Sequence, residues 1–401
     1  MVEPVRVAVT GVGAVTPLGV GAETLHRRWT AGESGIEDGL GRADFDASEH
    51  LSRRDMRSFD RFTQFALVAA NEALGQAGWL DELPYDSERI ACVVGTGMGG
   101  VESLESDIDR ARERGHDQVS PLTIAKHMPN AAAAAISARY GLHGESMGVC
   151  GACASGAIAT GAAMGLLRSG AADAVVTGSS DAGITPQMRA VFGVMGASSR
   201  AGVSRPFDRR RDGFVGAEGG GILVIEREEG ARARGAEPVG FLCGYGVTCD
   251  AHHVTAPEPS GRQAARAIER ALQEAGLAPE DLSYVNMHGT GTPLNDRAET
   301  KAVKLALGEV AERIPMSSLK SAIGHLGGGA ASVEAVATLL ALRDRVAPPT
   351  LNLEEPEEGL DLDYVPGEAR RLRDTNGSPP AAISNSFGFG GHNAVLAVSA
   401  A

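Results

Sequence analysis

Short runs of apolar, β-branched residues alternate with longer stretches of helical periodicity along the whole chain. The apolar runs are RIACVVG, ESMGVCGA, ADAVVTG and LSYVNMHG. Helical stretches follow from Val101, from Ala154 and near Asn295. Apolar runs without polar alternation are typical of strands covered on both faces. The pattern therefore predicts an α/β protein with largely buried strands.

One pattern occurs twice. NEALGQAGW at 71–79 leads into the strand RIACVVGTG, and ERALQEAGL at 269–277 leads into LSYVNMHGTG. A helix ending in Ala-Gly before a buried strand and a Gly-Thr-Gly turn predicts a duplicated α/β module. We place one half at residues 1–245 and the other at 246–401. Chance similarity between two amphipathic helices is the alternative.

The composition adds a fold preference and a location. With 401 residues, 43% hydrophobic, the chain can bury a large core, and 53 glycines with 4% aromatics suit an α/β protein rich in tight turns. The start has no pattern of a secretory signal, and no run reaches the roughly 18 apolar residues of a membrane span. We expect a cytoplasmic protein whose five cysteines are reduced.

The formal net charge of −14 disfavours nucleic acid and anionic membranes as partners. Two local basic patches remain, one with Arg53, Arg54 and Arg57 and the other with Arg209, Arg210 and Arg211. Such patches can dock one small acidic partner. Solvated surface arginines are the alternative.

Cys153 is the candidate nucleophile. The segment 144–170 predicts a buried strand, a sharp turn and a helix of small residues that begins just after Cys153. A helix N-terminus favours negative charge, so we expect a lowered thiol pKa. Cys150 and Cys153 also form a C-x-x-C, which leaves a redox or zinc site open, although we expect Cys150 to be a buried apolar filler.

Two histidines follow strands, where open α/β sheets present functional groups. His288 comes at the end of the strand before Gly289, and a short strand is expected to carry Lys320 to its end, shortly before His325. A single histidine in a turn is more often a capping or packing residue.

Two glycine-rich segments complete the candidates. Residues 384–393 (SNSFGFGGHN) form a strand and a loop that can aim backbone N–H groups at a substrate, with a flexible turn as the alternative. Residues 95–100 (GTGMGG) match the dinucleotide fingerprint, but no acidic residue ends a second strand about 20 residues later. We therefore do not predict a dinucleotide site.

Taken together, the chain resembles the elongating β-ketoacyl-(acyl carrier protein) synthases of the thiolase superfamily, which serve fatty acid and type II polyketide synthesis. The motifs are VAVTGVGAVTPLG, ACASG, SRPFDRRRDGFVGAEGGG, HGTGTPLND, KSAIGHLGGGA and NSFGFGGHN. The resemblance implies a five-layered α-β-α-β-α thiolase fold of two similar halves, with the active site between them. It also implies a dimer in which each subunit helps to line the other's acyl pocket.

The resemblance also implies roles for single residues. Cys153 would carry the acyl group, while His288 and His325 would contact the malonyl thioester. Lys320 would be a buried cation paired with Glu299.

Further roles concern the pocket and its surface. Phe389, with Phe387 beside it, would form the oxyanion and gate loop. Leu104 and Phe192 would line the acyl pocket, and the acidic partner docking at Arg53, Arg57, Arg209 and Arg210 would be the carrier protein.

The expected reaction is decarboxylative condensation of a Cys153-bound acyl chain with malonyl-(acyl carrier protein), without metal or organic cofactor. The expected partners are the acyl- and malonyl-loaded carrier protein and a second subunit, identical or a chain-length-factor-like paralogue. His392 stands where many relatives have Thr, and HGTGTPLNDRAE leans toward polyketide members, so the pathway stays open. A non-decarboxylating thiolase is the alternative enzyme, and a scaffold or chain-length subunit the non-enzymatic one.

Overall fold

The structure is a computed structural model that describes residues 6–373 and 378–401. Residues 1–5, the start of the segment read for a targeting signal, lie outside the described residues. No helix within the described ranges is long and apolar enough to cross a membrane.

The strands are β1 (Val7–Thr16), β2 (Gly19–Val20), β3 (Ile90–Gly95), β4 (Ser146–Val149), β5 (Ala174–Asp181), β6 (Gly219–Arg227), β7 (Gly240–Cys249), β8 (Leu282–Asn286), β9 (Met316–Ser317), β10 (Val346–Ala347), β11 (Arg370–Arg371), β12 (Ala381–Gly388) and β13 (His392–Ala400). The helices are α1 (Ala22–Thr30), α2 (Ala47–His50), α3 (Arg53–Ser58), α4 (Arg61–Ala77), α5 (Val101–Arg114), α6 (Thr123–His127), α7 (Ala131–Tyr140), α8 (Ser155–Ser169), α9 (Pro186–Val194), α10 (Glu228–Ala233), α11 (Arg262–Ala275), α12 (Pro293–Leu307), α13 (Lys320–Ile323) and α14 (Ala330–Arg343).

The main sheet repeats one topology twice. Its strand order is β4-β3-β5-β6-β1-β7-β13-β12-β8-β9, with β2 paired to β1. Read outward from the central β1–β7 contact, each half has two antiparallel pairings followed by two parallel ones. In each half the strands follow the order first, fifth, fourth, second, third. The predicted duplication is therefore present in the topology.

The repeat extends to how the first strand of each half packs on its helix. A Cβ at Gly11 or Gly13 of β1 would lie 2.0 Å from a carbonyl oxygen of α4. In β7, a Cβ at Gly244 or Gly246 would lie 2.2 or 1.9 Å from a carbonyl oxygen of α11. Both helices end in a left-handed glycine, as the Ala-Gly signal predicts. The predicted division at 245/246 falls inside β7 and stays a prediction, while the repeat favours a boundary between β6 and β7.

The helices form three layers around the two halves of the sheet, as the five-layered fold requires. Helix α4 covers β1, β5 and β6 on one outside face, and α11 covers β7 and β13 on the other. Helices α8 and α14 lie between the halves, where α14 contacts strands of both. Residues 330–342 of α14 are all buried, so this apolar helix holds the two halves together.

Three local expectations are not met in the single chain. β4 is the outer strand of its half and alternates between exposed and half-buried residues, because β3 alone pairs with it among the described strands. Cys150, just after β4, is exposed and is no buried filler. The strand before Lys320 ends at Ser317, and Lys320 instead begins the short helix α13.

Candidate functional site

Cys153 lies in the sharp turn between β4 and α8. Ala152 adopts the left-handed conformation, with φ 50°, which is strained for a residue with a Cβ. The Ser155 hydroxyl accepts from the Gly151 N–H at 2.9 Å and lies within hydrogen-bond distance of two carbonyls, that of Ala152 at 2.6 Å and that of Thr96 at 3.0 Å. The turn is thereby fixed, with the half-buried thiol at the wall of a cavity just before the helix begins.

His325 contacts the thiol directly. Its Nε2 lies 3.1 Å from Cys153 Sγ. Its backbone N–H donates to the Val215 carbonyl at 2.7 Å, and its ring meets Phe214 edge-on at 5.3 Å between centroids. The backbone hydrogen bond to Val215 and the ring contact with Phe214 therefore hold the His325 imidazole at hydrogen-bond distance from the sulfur.

His288 lies 5.5 Å from His325 between ring centroids. The Glu299 carboxylate accepts the backbone N–H groups of His288 at 2.7 Å and Gly289 at 2.8 Å. It also accepts the side-chain N–H of Asn385 at 3.2 Å, which ties β12 to the same point. Glu299 thus orients the turn that carries His288.

The predicted pairing of Lys320 with Glu299 is wrong. Lys320 forms an ion pair with Glu334 of α14, and their side chains are 1% and 2% exposed. Its Nζ also lies 3.2 Å from His288 Nδ1. A protonated Lys320 can only donate there, so Nδ1 must be unprotonated and the proton of neutral His288 sits on Nε2.

Burial dominates the electrostatics of the site. Burial, with Lys320 adding its positive charge, holds the pKa of both His288 and His325 well below the usual range, so both rings are neutral. Burial also raises the pKa of the Cys153 thiol to about 11, opposed by Lys320 and by the backbone N–H of Phe389. The expected lowering of the thiol pKa is therefore wrong, because desolvation outweighs the helix N-terminus in this arrangement.

The glycine loop folds over the thiol. The backbone N–H groups of Phe389 and of Cys153 itself act on the sulfur to lower the pKa of the thiol, against the larger effect of burial. A Cβ at Gly388 would lie 2.8 Å from the Gly151 carbonyl and 3.1 Å from Cys153 N, so the loop needs glycine for this approach. Phe387 tilts against His288 with 5.9 Å between ring centroids.

A cavity of about 880 Å³ joins these groups. Cys153, both histidines and Phe389 line it, together with Phe192 of α9, whose ring meets Phe214 edge-on at 5.3 Å. Leu104 does not line it. It lies half-buried on α5, whose neighbouring residues Glu102 and Glu105 line a separate polar cavity. Since the expected pocket is lined by two subunits, the predicted pocket role of Leu104 stays a prediction.

The basic patches differ in how free their charges are. Arg53 and Arg57 are exposed on α3, and neither takes part in an ion pair found among the described residues. Arg209 pairs with Glu355 at 2.7 Å, and Arg210 with Asp208 at 2.9 Å.

Arg211 is buried and pairs with Asp296 at 3.2 Å, so it is no part of a surface patch. The first patch therefore offers the freer positive charge.

Sequence reasoning missed three residues of the site: Phe214, Glu334 and Asp181. Phe214 lies inside the motif SRPFDRRRDGFVGAEGGG, and Asp181 lies three residues after the predicted strand ADAVVTG, so position alone offered a signal for both. Glu334 lies in an apolar helical stretch, where a lone carboxylate is itself a signal of a buried partner. Within the described residues, no group of three or more His, Cys, Asp or Glu is arranged to hold a metal ion.

Family comparison agrees with this geometry. Residues 40–231 match the model of the beta-ketoacyl synthase N-terminal domain, and residues 239–354 match that of the C-terminal domain. The chain is 43% identical to 3-oxoacyl-[acyl-carrier-protein] synthase 2 of Synechocystis sp., covering 98% of both chains. It is 39% identical to the protein of that name from Staphylococcus aureus, covering 99% of this chain and 98% of the other.

Solved structures give the same result. A ketosynthase/chain length factor for ishigamide has a TM-score of 0.91 at 30% identity, with both chains fully covered. A type II polyketide acyl carrier protein in complex with its hexaketide-bound ketosynthase has a TM-score of 0.89 at 31% identity, again with full coverage. A beta-ketoacyl synthase from Burkholderia phymatum has a TM-score of 0.89 at 32% identity, covering 99% of this chain and 100% of the other. The chain therefore belongs to the β-ketoacyl synthase family, with the thiolase-like fold of that family.

Proposed function

We propose that this chain condenses an acyl group carried on Cys153 with malonyl-(acyl carrier protein), releasing carbon dioxide and giving β-ketoacyl-(acyl carrier protein). The observation that carries the proposal is the contact of 3.1 Å between His325 Nε2 and the Cys153 thiol, beneath two backbone N–H groups. A thiol, a neutral base and paired N–H donors are the groups that acyl transfer requires.

In the first half-reaction, the Cys153 thiol gives its proton to His325 Nε2 as the sulfur attacks the acyl thioester. The oxyanion accepts the backbone N–H groups of Cys153 and Phe389. The intermediate then collapses, the carrier thiolate leaves, and it takes the proton from His325. The high pKa of the resting thiol means that this proton moves together with the attack.

In the second half-reaction, the malonyl thioester loses carbon dioxide and builds negative charge on its carbonyl oxygen. His288 offers Nε2–H there because Lys320 donates to its Nδ1. His325 faces the same space with its Nε2. The enolate carbon then attacks the Cys153 thioester, the carbon–sulfur bond breaks, and the Cys153 thiolate that leaves takes one proton from solvent to restore the thiol.

The proposed partners follow from surfaces of the chain. Strand β4 is the last strand at one end of the sheet, so its outer edge is unpaired among the described strands. Large apolar side chains are also exposed, among them Ile124 of α6 at 67% and Val194 of α9 at 91%. We infer that a second subunit covers this edge, either an identical copy or a chain-length-factor-like paralogue. Arg53 and Arg57 are the proposed dock for an acidic carrier protein, and the cytoplasm is the proposed location.

The pathway is proposed as fatty acid elongation or the polyketide equivalent. The 43% identity to a 3-oxoacyl-[acyl-carrier-protein] synthase 2, against 30% to a ketosynthase/chain length factor, favours the first. The structural similarity to ketosynthases solved with chain length factors keeps the second as a specific alternative.

The test is a single-turnover incubation with acyl- and malonyl-carrier proteins, read by intact-protein mass and carbon dioxide release. We expect wild type and Cys150→Ala to gain an acyl mass and Cys153→Ala not to, with carbon dioxide released only from malonyl carrier. Cys150 is the matched control because it is the other thiol of the C-x-x-C, three residues away. If wild type never acylates across an acyl series, with candidate partner subunits present, the proposal is wrong. Condensation without loss of carbon dioxide would indicate the thiolase alternative.

A further inference from the structure

Asp181 is a buried carboxylate that the proposed reaction does not use. It ends β5, is 1% exposed, and lies in the wall of the cavity that holds the thiol. No cation pairs with it among the ion pairs of the described residues, and neutral donors surround it instead. A buried carboxylate without a countercharge is costly, so its place in the structure needs a reason.

Four donors converge on this carboxylate. Oδ1 accepts the Thr96 hydroxyl at 2.8 Å and the Met98 N–H at 3.2 Å. Oδ2 accepts the N–H groups of Gly97 at 2.9 Å and Gly328 at 2.6 Å. The GTGMGG turn that resembles a dinucleotide fingerprint therefore binds an anion belonging to the protein itself.

The carboxylate joins two turns that the sequence keeps far apart. A Cβ at Gly328 would lie 2.2 Å from Gly97 N, and one at Gly327 would lie 2.8 Å from Asp181 Oδ2. Both turns must therefore be glycine at the point where they meet the carboxylate and each other. This accounts for Gly327 and Gly328 after His325 and for Gly97 after β3, where a Cβ would lie 2.7 Å from Asp181 Oδ2.

Each of these turns leads directly to one reacting group. Gly328 comes three residues after His325. On the other side, the Ser155 hydroxyl lies 3.0 Å from the Thr96 carbonyl and 2.6 Å from the Ala152 carbonyl, and it accepts the Gly151 N–H, so it joins Thr96 to the turn that carries Cys153. The hydrogen bonds that link the turn after His325 to the turn that carries Cys153 therefore run through the Asp181 carboxylate.

We propose that Asp181 is a positioning residue, which holds the Cys153 and His325 turns at their contact distance and keeps a negative charge beside the thiol. Its charge opposes ionisation of the sulfur, while Lys320 favours it and His325 lies in contact. Burial raises the pKa of Asp181 to about 6, so the carboxylate is charged at neutral pH. The thiol thus stays protonated until a substrate approaches.

The inference rests on the proposed function in only one of its readouts. The first readout is the pH dependence of alkylation of Cys153 by iodoacetamide, followed from pH 7 upward by mass spectrometry of the Cys153 peptide. Asp181→Asn removes the charge, so its alkylation midpoint should move down by about 0.5–1 pH unit. The second readout is condensation, where lost alignment should lower turnover by about tenfold or more.

The matched control is Glu72→Gln. Glu72 also accepts two backbone N–H groups, those of Ala22 at 2.8 Å and Ala14 at 3.0 Å, and burial raises its pKa, but it lies outside the cavity. We expect Glu72→Gln to cost stability without moving the alkylation midpoint. If Asp181→Asn behaves as the control does, with a lower Tm and an unmoved midpoint, the residue is only structural and the proposal fails.

Thr96→Val covers the case in which Asp181→Asn does not fold. It removes one donor to the carboxylate and keeps the charge. We expect an unchanged alkylation midpoint with about tenfold lower turnover. Wild-type turnover in this variant would overturn the positioning role. If wild type alkylates at Cys153 but never condenses, the proposed function has failed, while the alkylation readout still decides whether the charge of Asp181 acts on the thiol.

Discussion

Removing one partner of the Lys320–Glu334 pair should destabilise the protein far more than removing both. The side chains are 1% and 2% exposed, so water screens them little. For unit charges about 3 Å apart at an effective dielectric of about 20, the attraction is about 5 kcal/mol. Lys320→Met or Glu334→Gln alone strands a buried charge or a buried polar group, and we expect a loss of about 3–5 kcal/mol in the free energy of unfolding.

The double variant Lys320→Met/Glu334→Leu removes both charges and fills the space with apolar atoms. We expect it to lie within about 1–2 kcal/mol of wild type. Burial raises the pKa of Glu334 to about 7, so urea denaturation is best measured at pH 8, where the carboxylate is ionised. Protein concentration is held fixed because subunit association adds to stability.

The exposed pair of Arg343 and Glu23 is the control, since its side chains are 36% and 64% exposed. Glu23→Gln should cost about 0–1 kcal/mol. Two results would refute the reasoning about buried charge. One is a loss of under about 1 kcal/mol in the free energy of unfolding for each single variant, and the other is a double variant whose loss equals the sum of the two single losses. The double variant should still acylate Cys153, but decarboxylation should fall because no donor holds Nδ1 of His288.

Three further predictions concern charge, backbone and pocket shape. Burial raises the pKa of Glu299 to about 7 from 4.5, so its contribution to stability is complete below pH 4.5 and lost as pH rises to 7, by roughly 3 kcal/mol. Urea midpoints measured from pH 5 to 8 should therefore fall, and less so in Glu299→Gln. Gly388→Ala should slow acylation of Cys153 by about 100-fold while Gly165→Ala, whose Cβ meets nothing within 4 Å, leaves it unchanged, as single-turnover mass measurements would show. Phe192→Ala should shift the preferred acyl chain to greater length in a competition among acyl-carrier proteins, and an unchanged preference would count against its pocket role.

The fold could be predicted because its signals are local. Alternating apolar runs and helical periodicity gave the α/β class, and the helix-Ala-Gly-strand pattern gave the duplication that the sheet topology repeats. The antiparallel centre was not predictable from those signals. β1 pairs with β7, a strand more than two hundred residues away in the sequence. A local hydrophobic pattern does not indicate which other strand a buried strand pairs with.

The candidate site was predictable to the extent that its motifs place polar residues at strand ends. Cys153, His288 and His325 do come together, as the family resemblance implied. The sign of the Cys153 pKa shift was missed because a helix N-terminus is visible in the sequence, whereas desolvation by the glycine loop and the cavity wall is not.

The partner of Lys320 shows why a correct motif can still give a wrong contact. Glu299 and Glu334 are both buried carboxylates near the same lysine in sequence. Glu299 accepts the backbone N–H groups of His288 and Gly289, which would otherwise be buried without acceptors. Helix α14, between the two halves of the sheet, brings Glu334 to Lys320 instead. One carboxylate therefore orients the backbone of His288 and the other balances the cation that sets its tautomer, and neither can replace the other.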